Sequence, residues 1–389
     1  MSIGKRVASA LLVLATVLTV GAQSGFARES SADIGDFVFA GDSIVLQLKK
    51  HEVHPRLFVD FGDGEQHEFI VDTGASVNVI DSSIAESLGF EVVGETEIGA
   101  PGGPQIPAKI VKVPLARVGD ATIRNAEFVT MDVKGFSRGT TLGVLGVGLF
   151  SDYLLTFDRG AGHIELSHDN LSANGPGVLP YDAANGQIEI EIDVAGTTVM
   201  AHIDTGSMGE FMLPGEMMGS LSLQKTQSER KARLVGGNRE IKFAQLNGSI
   251  QFADFQFDNP SIAFMTPSPG AGNIGSGILA DYVVSIDQKN QLIEFRELDD
   301  TNMAANNKPR RLGVRFRSMP GGSVLTVASV DPGSLGEDAG ILAGDVMVSI
   351  NGKPTQEFEM RELGTLIRGS TPLSIDIERD GSAKTIEIP

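Results

Sequence analysis

Short runs in which apolar and polar residues alternate recur along the chain. RLFVDF (Arg56–Phe61), AKIVKVPLARV (Ala108–Val118), IEIEIDVAG (Ile188–Gly196) and SIQFADFQF (Ser249–Phe257) all step with a period near two, the period of a half-buried strand. Glycine-rich breaks separate them, and 47 glycines in 389 residues favour tight turns between strands. The expected class is mainly β. Two stretches spoil otherwise good strands in the same way: FIVDTGASVNVI (Phe69–Ile80) and AHIDTGSMGEFML (Ala201–Leu213) each set Asp-Thr-Gly inside an apolar run.

The likeness between these regions extends well beyond the triplet. GVLGVGLFSDYLLTFD (Gly143–Asp158) aligns without a gap on GNIGSGILADYVVSID (Gly272–Asp287), sharing Gly146 with Gly275, Gly148 with Gly277, Asp152 with Asp281, Tyr153 with Tyr282 and Asp158 with Asp287. Residues 35–170 and 177–298 are thus two copies of one unit, too few for a stacked repeat array. Each copy also holds a glycine pair between strand-like flanks: Gly102 and Gly103 in IGAPGGPQIPAKIVKV, Gly236 and Gly237 in LVGGNREIKFAQL. Such a pair suits a tight hairpin, and the pattern alone leaves an ordinary turn and a mobile lid both open.

The ends of the chain read differently. Residues 1–27 carry Lys5 and Arg6, then an apolar stretch from Val7 to Val20, then small residues at Ala22 and Ala27. This is the order of an export signal. The apolar stretch is short beside the roughly 20 residues a membrane helix needs, which disfavours an uncleaved anchor. A periplasmic or secreted protein is expected, with no stable membrane insertion after the leader is removed. The polar stretch ELDDTNMAANNKP (Glu297–Pro309) supplies a linker over 299–309, and a third unit occupies 310–389.

Composition narrows the chemistry. The absence of Cys excludes disulfides, thiolate metal sites and cysteine nucleophiles. The formal charge is −19, and losing the leader removes two cations and no acid, giving −21. Nucleic acid is not an expected partner for such a chain.

An Asp beside Thr and Gly can simply form a turn. Two of them at matching places in a duplicated unit can do more, because one carboxyl from each copy could meet across a pseudo-twofold axis. Two carboxyls about 3 Å apart cannot both ionise and so share a proton. The ionised member can deprotonate water while the protonated one polarises a peptide carbonyl.

VDTGAS (71–76), IDTGSM (203–208) and the downstream VLG (144–146) and NIG (273–275) resemble the retropepsin-like aspartic proteases. The resemblance spans roughly residues 40–298 and implies two pepsin/retropepsin-like β-barrel lobes related by a pseudo-twofold axis. It implies Asp72 and Asp204 as the catalytic dyad. Thr73 and Thr205 would lock the two loops together, and Gly74 and Gly206 would let the backbone approach a substrate. The glycine hairpins become flaps over an extended or unfolded polypeptide, with Gly102, Gly103, Gly236 and Gly237 at their tips. No cofactor and no metal are implied. Neither hairpin carries the Tyr found on one flap of pepsin-like enzymes, and Asn273 stands where the VLG element is otherwise apolar. After the triplet the copies differ, with Ala75 in one and Ser207 in the other. A Ser207 hydroxyl donating to Asp204 would favour its charged form and leave the proton on Asp72.

In the third unit, VASVDPGSLGEDAGILAGDVMVSINGKP (Val327–Pro354) resembles the middle of a bacterial PDZ domain, a small α+β fold. RLGVRF (Arg311–Phe316) matches the segment that receives a peptide carboxylate in such domains. Leu312, Gly313 and Val314 would then bind a peptide or a chain terminus as an added strand. FEMRELGTLIRG (Phe358–Gly369) would supply the groove's helix, with Met360, Leu363 and Ile367 lining it or serving as core.

Two further motifs carry little. GFSRG (Gly135–Gly139) matches the serine-hydrolase box but is not followed by helix-forming sequence. HEVH (His51–His54) is one residue short of the H-E-x-x-H zinc motif and reads as exposed polar residues. No phosphate loop or dinucleotide fingerprint follows a strand. The expected activity is that of an aspartic endopeptidase whose PDZ unit recruits substrate or gates the cleft. The alternative is a non-catalytic, peptide-binding periplasmic factor on the same fold.

Overall fold

The computed structural model describes residues 11–12, 19–20, 32–49, 52, 54–99, 104–137, 139, 141–183, 186–234, 237–266, 270–298, 312–318, 325–330, 334–358, 372–379 and 381–388. Nearly all of the expected leader and linker lie outside that set. Among the described residues no helix is long and apolar enough to cross a membrane.

Strands dominate, and the two copies share seven strands in the same order, the second sheet continuing into Ser249–Phe252 and Phe255–Asp258. In the first copy the order across the sheet is Glu91–Gly99, Ile106–Val118, Ala121–Met131, Asn78–Asp81, Gly143–Gly146, His67–Asp72, Arg56–Val59. In the second it is Leu223–Leu234, Gly237–Leu246, Ser261–Thr266, Phe211–Pro214, Gly272–Gly275, Thr197–Asp204, Glu189–Val194. Each triplet aspartate ends a strand that pairs in parallel with the strand carrying the later glycine. Asp72 registers with Gly146, and Asp204 with Gly275.

A six-stranded sheet joins the lobes within one chain. Its centre is the antiparallel pair Leu154–Asp158 and Tyr282–Asp287, in register from Leu154↔Asp287 to Asp158↔Val283. At the midpoint Thr156 Oγ1 donates to Ser285 Oγ at 3.0 Å. The aspartates repeated at 158 and 287 close equivalent turns: Asp158 Oδ1 accepts from Ala161 N (2.7 Å), and Asp287 Oδ1 from Asn290 N (3.1 Å). The inward residues of this sheet, including Leu155, Phe157, Val284, Ile286 and, on Leu292–Glu297, Phe295, are buried in a core continuous with both lobes.

Both glycine hairpins form. Glu91–Gly99 pairs with Ile106–Val118, and Leu223–Leu234 with Gly237–Leu246. The C-terminal unit is a separate sheet in the order Val314–Ser318, Leu325–Val330, Val346–Ile350, Leu373–Arg379, Ser382–Ile388, over its own apolar core. Asp345, buried, is held there by Arg379 at 2.6 Å.

Candidate active site

Asp72 and Asp204 sit at equivalent strand ends, and both are completely buried. Their carboxyls face each other across the axis, each against the glycine of the opposite triplet. The loops carrying them are clasped reciprocally. Thr73 N donates to Thr205 Oγ1 and Thr205 N to Thr73 Oγ1, both at 3.0 Å. The hydroxyls then donate onward across the axis, Thr73 to Ile203 O (2.6 Å) and Thr205 to Val71 O (2.7 Å). Four buried donors are satisfied by four acceptors, so neither loop can shift without leaving polar groups unpaired.

The glycines of the triplet face the opposite acid. A Cβ on Gly74 would lie 2.9 Å from Asp204 Cγ, and one on Gly206 only 2.2 Å from Asp72 Oδ2. Whatever else they do, these glycines make the room in which the carboxyls meet.

The carboxyls are not held alike. Asp72 Oδ1 accepts from Gly74 N at 2.8 Å, while Oδ2 receives no N–H or O–H donor. Asp204 Oδ1 accepts from Ser207 N at 2.8 Å, and its Oδ2 from Asn273 Nδ2 at 2.6 Å. Burial raises both groups above the ordinary carboxylate range. Asp72 is raised the further, by burial and then by the nearby charge of Asp204; for Asp204 the donors from Asn273 and Ser207 offset part of the rise.

The donor expected from Ser207 is therefore a different one. The Ser207 hydroxyl accepts from Gly209 N at 3.2 Å, and only its backbone N–H reaches Asp204. Ala75, its counterpart, is buried in apolar surroundings. The reading of HEVH as exposed polar residues also needs correction. His54 is buried, and its Nδ1 lies 3.2 Å from the carbonyl of Thr205, which also accepts from Ser276 Oγ (2.8 Å). From the other lobe Gln187 Nε2 donates to Gly74 O at 3.4 Å. His54 and Gln187 occupy matching places, since the residue after each accepts from the strand leading to its own aspartate. Each lobe thus braces the Asp-Thr-Gly loop of the other.

Sequence reading missed Gln187, and it noted Asn273 without finding its partner. Aligning the two copies position by position sets Asn273 against Val144, whereas Gln187, far from both triplets in sequence, carries no such signal.

Of the flap tips, Gly102, Gly103 and Gly236 lie outside the described residues, and Gly237 opens the returning strand opposite Leu234. In the third unit Leu312 is buried and its carbonyl accepts from Gly336 N (3.0 Å). Gly313 has φ near 59°, and Val314 starts the edge strand. Met360, Leu363 and Ile367 lie outside the described residues. Ser137 of GFSRG is buried beyond a one-turn helix, and its hydroxyl donates to Thr141 O at 2.9 Å. Asp63, Glu65 and His67 are the group among the described residues whose ligand atoms could surround a cation. Asp63 Oδ2 is already bonded to His67 Nε2 at 2.8 Å.

Two pseudo-symmetric β lobes with clasped Asp-Thr-Gly loops define the retropepsin-like aspartyl-protease fold, here followed by a PDZ domain. The comparisons agree. Residues 59–149 and 190–279 both match the aspartyl-protease family, and residues 326–379 match the PDZ family. The chain is 41% identical over 63 residues to a Rhizobium meliloti (strain 1021) protein provisionally named a zinc metalloprotease, covering 16% of each. It is 31% identical over 138 residues to the periplasmic pH-dependent serine endoprotease DegQ of Escherichia coli (strain K12), which is 30% of this chain and 29% of the relative. The corresponding figures for the periplasmic serine endoprotease DegP of Salmonella typhimurium are 28% over 127 residues, 31% and 26%. The chain spans less than a third of the length of each of these relatives.

Proposed function

We propose that the protein is an exported aspartic endopeptidase that hydrolyses extended or unfolded polypeptides through Asp72 and Asp204. The observation that carries this reading is the buried, facing pair of carboxyls on reciprocally clasped loops. Burying two like acids together costs stability unless they share a proton, and a shared proton is the working state of such a pair.

The chemistry follows from the donors. Asp204, with both oxygens receiving N–H groups, is the carboxylate; it takes a proton from water as the water oxygen attacks the peptide carbon. Asp72 delivers its proton to the carbonyl oxygen, giving a neutral gem-diol. Asp204 then protonates the amide nitrogen, Asp72 recovers a proton from a diol hydroxyl, and the C–N bond breaks. One water is added across the bond and the pair ends as it began.

The substrate class follows from the hairpins. Their outer strands are Glu91–Gly99 and Leu223–Leu234. Thr19–Val20 pairs antiparallel with the first (Thr19↔Gly99), and Leu11–Leu12 pairs parallel with the second (Leu11↔Ala232). A twofold axis reverses strand direction between lobes, so one extended chain crossing the cleft must run antiparallel to one edge and parallel to the other. Both edges accept added strands in that sense. The PDZ unit would present further polypeptide, with Leu312, Gly313 and Val314 at the receiving edge. The location proposed is the periplasm or outside the cell, as for the DegP and DegQ relatives.

Those relatives are named serine endoproteases, but the serine of GFSRG offers no nucleophile: it is buried and tied to Thr141. The class is tested by incubating the mature protein with denatured casein from pH 3 to 8. Cleavage should be blocked by pepstatin-type inhibitors and drop at least roughly 10²-fold in Asp72→Asn and Asp204→Asn, with Ser137→Ala active. Binding of casein without turnover would instead make the protein a peptide-binding factor on a protease fold.

A further inference from the structure

Lobe symmetry sets up one substitution that the fold does not require. Val144 pairs with Ile70 on the strand leading to Asp72, and the equivalent pair in the second lobe is Asn273 and His202. Val144 and Ile70 lie in a closed apolar cluster with Ala75, Val77 and Val79. Asn273 is 4% exposed, and its amide N–H₂ is the donor 2.6 Å from Asp204 Oδ2.

We propose that Asn273 is a positioning residue that assigns the dyad's single proton, holding Asp204 as the carboxylate so that Asp72 is the acid. This rests on the aspartic-protease reading of the site. Two observations converge on it. Asp204 has an N–H donor on each oxygen, whereas Asp72 has one on Oδ1 and none on Oδ2. An ionised carboxylate only accepts, and a protonated one must donate. The bare Oδ2 of Asp72 is therefore where a proton completes the network, donated toward Asp204. Finally, the other end of the Asn273 amide, Oδ1, is buried without a partner. An apolar residue fills the equivalent place in the first lobe, as Val144 shows, so packing alone does not demand the amide.

The charged and titratable groups around Asp204 are few. Asp72 faces it directly. His202 lies two residues back on its own strand and beside Asn273, with Nδ1 3.4 Å from Glu189 on the neighbouring strand. His54 approaches the Thr205 carbonyl from the first lobe. Among the described hydrogen bonds, no cation reaches either carboxyl. The asymmetry is therefore set by neutral donors, and Asn273 is the one side chain among them.

The test is the pH profile of kcat/KM for casein-derived peptide cleavage by the mature enzyme. Asn273→Val removes a donor to the charged form, so its acidic limb should move up by roughly one to two pH units, a roughly 10- to 100-fold loss on the acid side. The thermal midpoint at neutral pH should fall modestly, because the charged Asp204 Oδ2 loses its donor while the orphan amide oxygen leaves with the side chain. If valine prevents folding, Asn273→Ser, whose hydroxyl falls short of Asp204, should shift the limb in the same direction. A limb that stays within about 0.3 unit of the native position in a folded, active variant overturns the proposal. So does a limb that follows His202→Asn while ignoring Asn273. The underlying reading fails separately, if Asp72→Asn still cleaves.

Discussion

Under Asp72 the lobe presents Ile70, Ala75, Val79 and Val144, all members of one buried apolar cluster. Under Asp204 the equivalent positions hold His202, Ser207, Met212 and Asn273. The backbones share seven strands in the same order, so the fold asks for symmetry while the chemistry asks for its opposite. Two acids that share one proton must differ, and the difference is most easily made where a side chain can touch one carboxyl and not the other. The first lobe has a buried amide too, but it serves the scaffold: Asn78 Oδ1 accepts from Gly146 N at 3.1 Å. In the second lobe Phe211 takes that place, and Gly275 N donates instead to a backbone carbonyl, that of Glu210. Polarity has moved from supporting the strand to contacting the acid.

The largest expected effect comes from closing the space between the lobes. Gly206→Ala would drive a methyl to 2.2 Å from Asp72 Oδ2, whereas Gly74→Ala would meet Asp204 Cγ at 2.9 Å. Both should abolish measurable casein cleavage, and Gly206→Ala should also destabilise the fold more, by about 1–3 kcal/mol on the scale of core overpacking. Denaturant titration of the two variants ranks them. Equal losses would mean that the carboxyls sit symmetrically.

Next comes the clasp, where the lobes are alike. Thr73→Val strands Thr205 N and Ile203 O, and Thr205→Val strands Thr73 N and Val71 O. Each should cost about 2–6 kcal/mol, two buried groups at about 1–3 kcal/mol apiece. The two costs should agree closely. A large gap between them, read from chemical denaturation, would show that the asymmetry extends below the acids into the scaffold.

His202 gives a smaller, pH-dependent contrast with Ile70. Burial lowers its imidazole to about 4 from the ordinary 6.5, so folding is favoured while the ring is neutral. Below pH 6.5 the unfolded chain takes up a proton that the folded one refuses. Stability therefore falls as pH drops from about 6.5 towards 4, by at most about 3 kcal/mol. His202→Ile, which restores the first-lobe residue, should flatten that part of the stability curve. Thermal melts at pH 7 and pH 4.5 measure it, and an unchanged slope would place the acid sensitivity elsewhere.

How much of this could be read from residues alone divides along physical lines. The doubled Asp-Thr-Gly and the gapless match around Tyr153 and Tyr282 are local strings, and they carried the two-lobe architecture and the facing acids. The PDZ fold was legible for the same reason, through the order of turn, short helix and strand around Asp345. What stayed hidden depends on contacts between distant segments. His54 looks like a surface residue in HEVH because nothing nearby in sequence shows that Thr205, from the other lobe, covers it. Asn273 was visible as a departure from an apolar pattern, but a pattern does not say which atom an amide reaches. Ser207 is the instructive failure. A hydroxyl three residues after an aspartate has the right chemistry and the wrong direction, since the loop turns its oxygen toward Gly209 N.

That failure supplies the finest test of the comparison. Ser207→Ala makes the second lobe identical to the first at this position, where Ala75 stands. The backbone donor from residue 207 to Asp204 survives the change, because it does not involve the side chain. What is lost is the hydroxyl acceptor for Gly209 N, a single partly buried hydrogen bond worth about 0.5–1.5 kcal/mol. The variant should therefore be slightly less stable, with its pH–rate profile in place. If the acidic limb moves with Ser207→Ala as far as with Asn273→Val, the hydroxyl reaches Asp204 in solution. The two polar residues would then act on the acid together, and the asymmetry between the lobes would rest on the whole second-lobe floor rather than on one amide.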